Sequence, residues 1–140
     1  MNVVEINWLA VLLATASAMV VGMIWYAKPV FGTIWMHLAG LSQERMRKNV
    51  VWPMVSAVLG SLATAYILAH VAFMAHAFFD QSFLADALTT AFWLWFGLSL
   101  TTLIIHNSFE QKPWKLTWLA AGNRFVTIMI MGLIIGLLKP

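Results

Sequence analysis

Cysteine is absent from this 140-residue chain. Disulfides, thiolate metal sites and cysteine nucleophiles are therefore excluded. Charge is scarce as well: eight Lys and Arg and five Asp and Glu make up 9% of the residues, where a soluble domain carries about a quarter. So few charges cannot coat a water-soluble globule of this length. Proline is limited to four residues, so little interrupts the helices described below. The strict apolar–polar alternation that a transmembrane β-barrel requires is missing. A net charge of +3, spread along the chain, is no nucleic-acid footprint, and no nucleic-acid partner is expected.

Motifs for chemistry are also few. The chain has no Gly-x-Ser-x-Gly, no His-Glu-x-x-His and no phosphate-binding glycine loop, so no catalytic residue is assigned and a membrane-embedded enzyme is the least expected of three readings. His106 with Glu110 is the one loose acid–base pair. His70, Met74, His76 and Asp80 gather near one end of an apolar stretch, but their spacing is not diagnostic of a metal site. Neither metal nor cofactor is expected.

What the chain has is apolar length. Hydrophobic residues make up 62% of it, and its mean hydropathy is +0.85. Residues 6–27, 49–79 and 87–109 are free of charge, and residues 116–138 carry only Arg124. About 20 apolar residues cross a hydrocarbon core of roughly 30 Å, and lipid offers no partner to open backbone groups, so such spans are helical. The expected fold is all-α: one membrane-spanning four-helix bundle over residues 1–140, with spans near 6–27, 53–75, 85–107 and 116–138. Pro53 suits the first turn of the second span. Ala16-Ser17-Ala18 resembles a signal-peptide cleavage site, but no Lys or Arg precedes it, so the first stretch is expected to be a retained span. Between spans one and two, Phe31, Ile34, Trp35, Leu38 and Leu41 recur at three and four residues, which predicts a short interfacial helix. Gly40 would end it, and Ser42 would cap the polar piece that follows.

Lys28, Arg45, Arg47, Lys48, Lys112 and Lys115 fall in the first and third loops, against Lys139 alone in the tails and second loop. By the positive-inside rule those two loops are cytoplasmic, with both termini outside, in an integral membrane protein, a bacterial inner-membrane one by expectation. Trp25, Tyr26, Trp35, Trp52, Trp114 and Trp118 crowd the same basic interface.

Small residues at four-residue spacing mark helix-packing faces: Ala14, Ala18 and Gly22 in span one, Ser56, Gly60 and Thr64 in span two, and Gly132 and Gly136 in span four. Span two, small over a broad face, is the expected central helix. Gly132 and Gly136 serve either the bundle itself or a homo-oligomer. Arg124 is the strongest polar feature. It lies about 12 Å into the fourth stretch at 1.5 Å per residue. An Arg at mid-span costs roughly 2.5–3.5 kcal/mol on insertion scales and usually faces a partner or water. The expected partners are Glu110, Asn107 or His106 at the end of span three, with Asn123 alongside.

Asn7-Trp8-Leu9-Ala10, Trp25-Tyr26, Pro29, Phe31-Gly32 and Trp35-Met36 resemble the start of the DUF1761 family. Asn107, Phe109-Glu110, Lys112-Pro113, Asn123 and the ending from Gly132 to Gly136 resemble its close. Lys28 and Arg124 depart from the family pattern. The resemblance implies a small four-span membrane protein and supplies no reaction. It adds Trp25 and Tyr26 to Arg124, Glu110, Asn107, His106 and Asn123 as a candidate polar site on the cytoplasmic side. The expected function is binding or transport of a small solute or ion in the lipid bilayer, with a non-catalytic accessory or scaffolding subunit as the alternative.

Overall fold

The computed structural model describes residues 3–140. Its helices are α1 (Trp8–Trp25), α2 (Thr33–Ala39), α3 (Gln43–Lys48), α4 (Val51–Phe78), α5 (Phe83–Leu94), α6 (Thr101–Phe109) and α7 (Trp114–Leu138). Two π-helical turns, Lys28–Gly32 and Trp95–Leu100, precede α2 and join α5 to α6. Four helical stretches are long and apolar enough to cross a membrane: α1, α4, the continuous Phe83–Phe109 segment, and α7. The protein is thus an all-α bundle, integral to a membrane. Its termini and the α4–α5 loop share one end, called here the terminal end. The loops bearing Lys and Arg share the other, the basic end.

Local chemistry sets the boundaries. Asn7 starts the first helix later than hydropathy suggests, because its side chain accepts from the Ala10 amide and caps α1. The same side chain donates to the Lys139 carbonyl at 2.8 Å and to that of Leu138 at 3.3 Å. One asparagine thereby satisfies open groups at the start of α1 and the finish of α7. Gly40, at φ 67°, closes α2, and the Ser42 hydroxyl caps α3 by accepting from the Arg45 amide. The expected interfacial helix is preceded by a π turn, which tucks Gly32 so close to the Tyr26 and Ala27 carbonyls that any β-carbon there would overlap them. The third span is likewise broken at mid-length by a π turn, a distortion often found at functional sites.

The four spans form a ring in which α7 packs on α1 and α5, and α4 packs on the same two helices. Small side chains make the core: Ala10 and Ala14 of α1, Ala65, Ala69 and Ala72 of α4, Ala87 and Ala91 of α5. Lipid does not drive helices together, so close backbone approach must supply the attraction. A β-carbon at Gly132 would lie 2.9 Å from that of Ala91, and one at Gly136 would lie 2.7 Å from Leu84 Cδ1. Both glycines are buried against α5 inside the bundle, so they are not a free face for a second copy.

The central helix is not span two. α7 buries residues along its whole length, from Leu116 to Gly136. α4 buries none before Ser61, and every residue from 51 to 60 is exposed. Small residues there mark a face that packs on no other helix among the described residues. Gly60 and Gly22 have no atom within 4 Å of a β-carbon position.

Candidate functional site

α7 explains why Arg124 stands out. Thr117, Ala121, Ile128, Met131 and Ile135 are buried. They recur at three- and four-residue steps, with Arg124 filling the one vacant step between Ala121 and Ile128. Arg124 is therefore in register with the packing face of α7, yet it is exposed. The corresponding break on α4 lies at Ser61. Ser61, Ala65, Leu68 and Ala72 are buried, and the same steps continued backward reach Val58 and Met54, which are 41% and 44% exposed. The α4 stripe loses its cover toward the basic end, whereas on α7 Thr117 and Ala121, nearer that end, stay buried and Arg124 alone is exposed.

The expected partners of Arg124 are engaged elsewhere. Glu110 pairs with His106 at 3.1 Å and with Lys112. The Lys112 hydrogen bond, with the charges of Lys112 and His106, holds the Glu110 carboxyl below its ordinary range against the opposing effect of desolvation. Asn107 is buried and donates to Thr117 Oγ1 at 3.0 Å. Among the described residues Arg124 makes no hydrogen bond and no ion pair. The expected pairing with Glu110, Asn107 or His106 is thus corrected. Those three residues tie the α6–α7 hairpin together, because neighbours one helical turn away (His106) or two residues along (Lys112) reach the carboxylate at lower entropic cost than a long side chain from mid-span.

Arg124 instead lies close enough to the Tyr26 hydroxyl to act on it electrostatically. Tyr26 is packed on Trp35, and Trp25 on Phe31, with ring centroids 5.0 and 4.6 Å apart. The π turn and α2 thus clamp the end of α1. Trp25 reaches α7 over Gly122, where a β-carbon would come 3.2 Å from its ring. The Trp25 indole nitrogen and the Asn123 amide nitrogen are buried without a hydrogen-bond partner among the described residues. Trp25, Tyr26, Asn123 and Arg124 therefore form one group where α1 meets α7, and Glu110, Asn107 and His106 a second at the hairpin. The single site expected from sequence resolves into these two.

Further contacts left no signal that sequence could register. His76 Nδ1 lies 2.8 Å from Asp86 Oδ2, and the Asp86 side chain is only 3% exposed. This pair joins α4 to α5 at the terminal end. Trp95, in the π turn, donates to the Ala121 carbonyl at 3.0 Å and meets Phe125 edge-on at 4.8 Å. Trp93 is 61% exposed on the opposite side. Of the two indoles, Trp95 is turned inward and Trp93 outward. Among the described residues no group of three His, Asp or Glu side chains is placed to hold a metal ion.

Four apolar spans, a clamped interfacial helix and a lone intramembrane cation define a small helical integral membrane protein. The family model described as "Protein of unknown function (DUF1761)" matches residues 9–136. The chain belongs to that family. Comparison with curated proteins and with solved structures gives no match.

Proposed function

We propose that this protein binds a small anionic solute, or the anionic group of a larger molecule, at Arg124. The observation that carries the reading is the exposure of Arg124 within the otherwise buried stripe of α7. A guanidinium remains charged at any physiological pH, and at this depth it demands a counter-charge or water. Glu110, the acid at the end of the third span, is occupied by His106 and Lys112. The Tyr26 hydroxyl adds a neutral donor within electrostatic reach of the charge, a set suited to oxyanions. The packing of Gly132 and Gly136 against α5 closes the terminal half, so the arrangement supports binding from one side more than free conduction. With Lys and Arg loops placed inside, that side is the cytoplasm. Cysteines introduced at Gln43 and Gln111 should then be shielded from an impermeant thiol reagent in intact cells while one at Gln81 reacts; the opposite pattern would reverse the orientation.

The binding reading is tested by thermal shift in a neutral detergent with inorganic phosphate or short carboxylates against matched chloride. The melting temperature should rise for the wild type and not for Arg124→Gln. An equal rise in both would contradict the reading. The accessory-subunit alternative draws on a different observation, the bare face of α4 bearing Ser56 and Gly60. Cross-linking through a cysteine at Ser56 to a second polypeptide in native membranes would favour it.

A further inference from the structure

The α6–α7 hairpin encloses an open-mouthed cavity lined by Ser108, Gln111, Lys112, Trp114 and Thr117. Its volume is about 290 Å³, near the lower end for small-molecule sites, which run from about 300 to 1,000 Å³ and are mostly apolar. Here the proportion is reversed. Ser108, Gln111, Lys112 and Thr117 end in hydrogen-bonding groups, and Trp114 presents an indole that is 59% exposed. Ser108 and Gln111 can each donate and accept. Thr117 is the buried residue of the lining, at 1% exposure. Its Oγ1 takes the Asn107 amide at 3.0 Å, and its own hydrogen remains to be given. The carbonyl one turn back, to which a helical threonine can donate, belongs to Pro113 and already accepts from the Leu116 and Thr117 amides. Pro113 gives α7 no side-chain cap, so the amides of Trp114 and Lys115 have no partner inside the helix and face the loop.

Charge decides between ligand classes. Among the described residues Lys112 is the one charge in the lining, and its ammonium is already paired with Glu110. An anion bonded to that ammonium would share it with the Glu110 carboxylate, and the two negative charges would repel. A neutral oxygen meets no such opposition, and the ammonium has three hydrogens to give. We propose that the hairpin cavity binds a neutral polyhydroxylated ring, a sugar. Each hydroxyl of such a ring gives and takes hydrogen bonds, which matches a lining that does both. The C–H face of the ring packs on the Trp114 indole, an apolar body with a polar edge. Ser108, Gln111, Lys112 and Thr117 hold the hydroxyls. The site is separate from Arg124, which follows Trp114 by ten residues, about 15 Å along α7. It lies where a span begins, so the ring can come from solution or from the head of a glycolipid.

Saturation-transfer difference NMR of the full chain tests this in a polyoxyethylene detergent, which has no sugar of its own. Wild type should give saturable transfer to methyl glucoside, methyl galactoside or methyl mannoside, strongest at the C–H protons of one ring face. Trp114→Ala should weaken binding at least tenfold, and Trp114→Phe, which keeps an aromatic surface, should retain most of it. Ser108→Leu fills the cavity from an exposed position and leaves every charge in place. It should also weaken binding at least tenfold, which keeps the test decisive if Trp114→Ala fails to fold. Absence of saturable transfer to all three sugars, or equal transfer in wild type, Trp114→Ala and Ser108→Leu, would overturn the proposal. Displacement of the sugar by an equal concentration of inorganic phosphate would overturn it too, and would make the cavity an anion site. Glucosyl diacylglycerol in the micelles decides the source: displacement of methyl glucoside at a tenth of its concentration assigns the glycolipid head, and no displacement assigns the free sugar.

Discussion

The Asn107 amide donates to Thr117 Oγ1 across 3.0 Å, with both side chains buried. This bond links the last turn of α6 to the first turn of α7 and fixes the hairpin that places Arg124. Hydrogen bonds between membrane helices average about 0.6 kcal/mol and reach about 1.7 kcal/mol. Thr117→Val keeps the shape and removes the acceptor, so it should destabilise by about 1 kcal/mol, within the range for stranding a buried amide. Asn107→Ala combined with Thr117→Val should cost less than the sum of the single changes. Unfolding in mixed micelles measures all three; strict additivity would mean that the bond contributes nothing.

Gly136 and Gly60 look alike in sequence and differ in the bundle. A β-carbon at Gly136 would sit 2.7–2.9 Å from Leu84, whereas one at Gly60 meets nothing within 4 Å. Gly136→Leu should therefore lower stability by several kcal/mol, in the range of core overpacking (about 1–3 kcal/mol) or above. Gly60→Leu should leave it within about 0.5 kcal/mol. Thermal unfolding of the two variants in one detergent checks the contrast. Equal losses would show that α4 is packed at its basic half.

Two helix ends use the same closing geometry with different residues. At α2, Gly40 has φ 67°, and the Leu41 amide bonds back to the Met36 carbonyl. At α6, Gln111 has φ 53°, and the Lys112 amide bonds back to the Asn107 carbonyl at 2.9 Å. The left-handed conformation costs an ordinary L-residue about 1–2 kcal/mol, and glycine escapes most of it. Gln111→Gly should accordingly stabilise the protein by about 1 kcal/mol, read as a higher melting temperature. A decrease would mean that the glutamine side chain holds the turn through a contact of its own.

The spans were legible because lipid imposes one rule on every residue of a segment: apolar over a crossing length, helical throughout. Ser42 and Gly40 were legible because capping is local, depending on residues three or four apart. Arg124 was legible as an anomaly for the same reason. Its surroundings were not. Whether Glu110 reaches Arg124 or Lys112 depends on how the α6–α7 turn folds back, and that follows from the left-handed Gln111, which sequence does not flag. The role of α4 was misjudged from its small residues. Small side chains permit close approach but do not enforce it, and the approach stops at Ser61. The His76–Asp86 pair joins residues ten apart across a loop whose path no periodicity describes.

The central claim is that Arg124 is held by an anion from outside the chain. Solid-state NMR of protein with nitrogen-15 arginine in phosphorus-free bilayers measures the distance from guanidinium nitrogen to the phosphorus of added phosphate directly, with Arg124→Lys assigning the signal against Arg45 and Arg47. The account predicts strong nitrogen–phosphorus dephasing at Arg124, at a separation of about 4 Å expected for a charge-assisted hydrogen bond, and its loss when chloride replaces phosphate. Dephasing of Arg124 by a carbon-13 carboxylate of Glu110, with none from phosphorus, would contradict it.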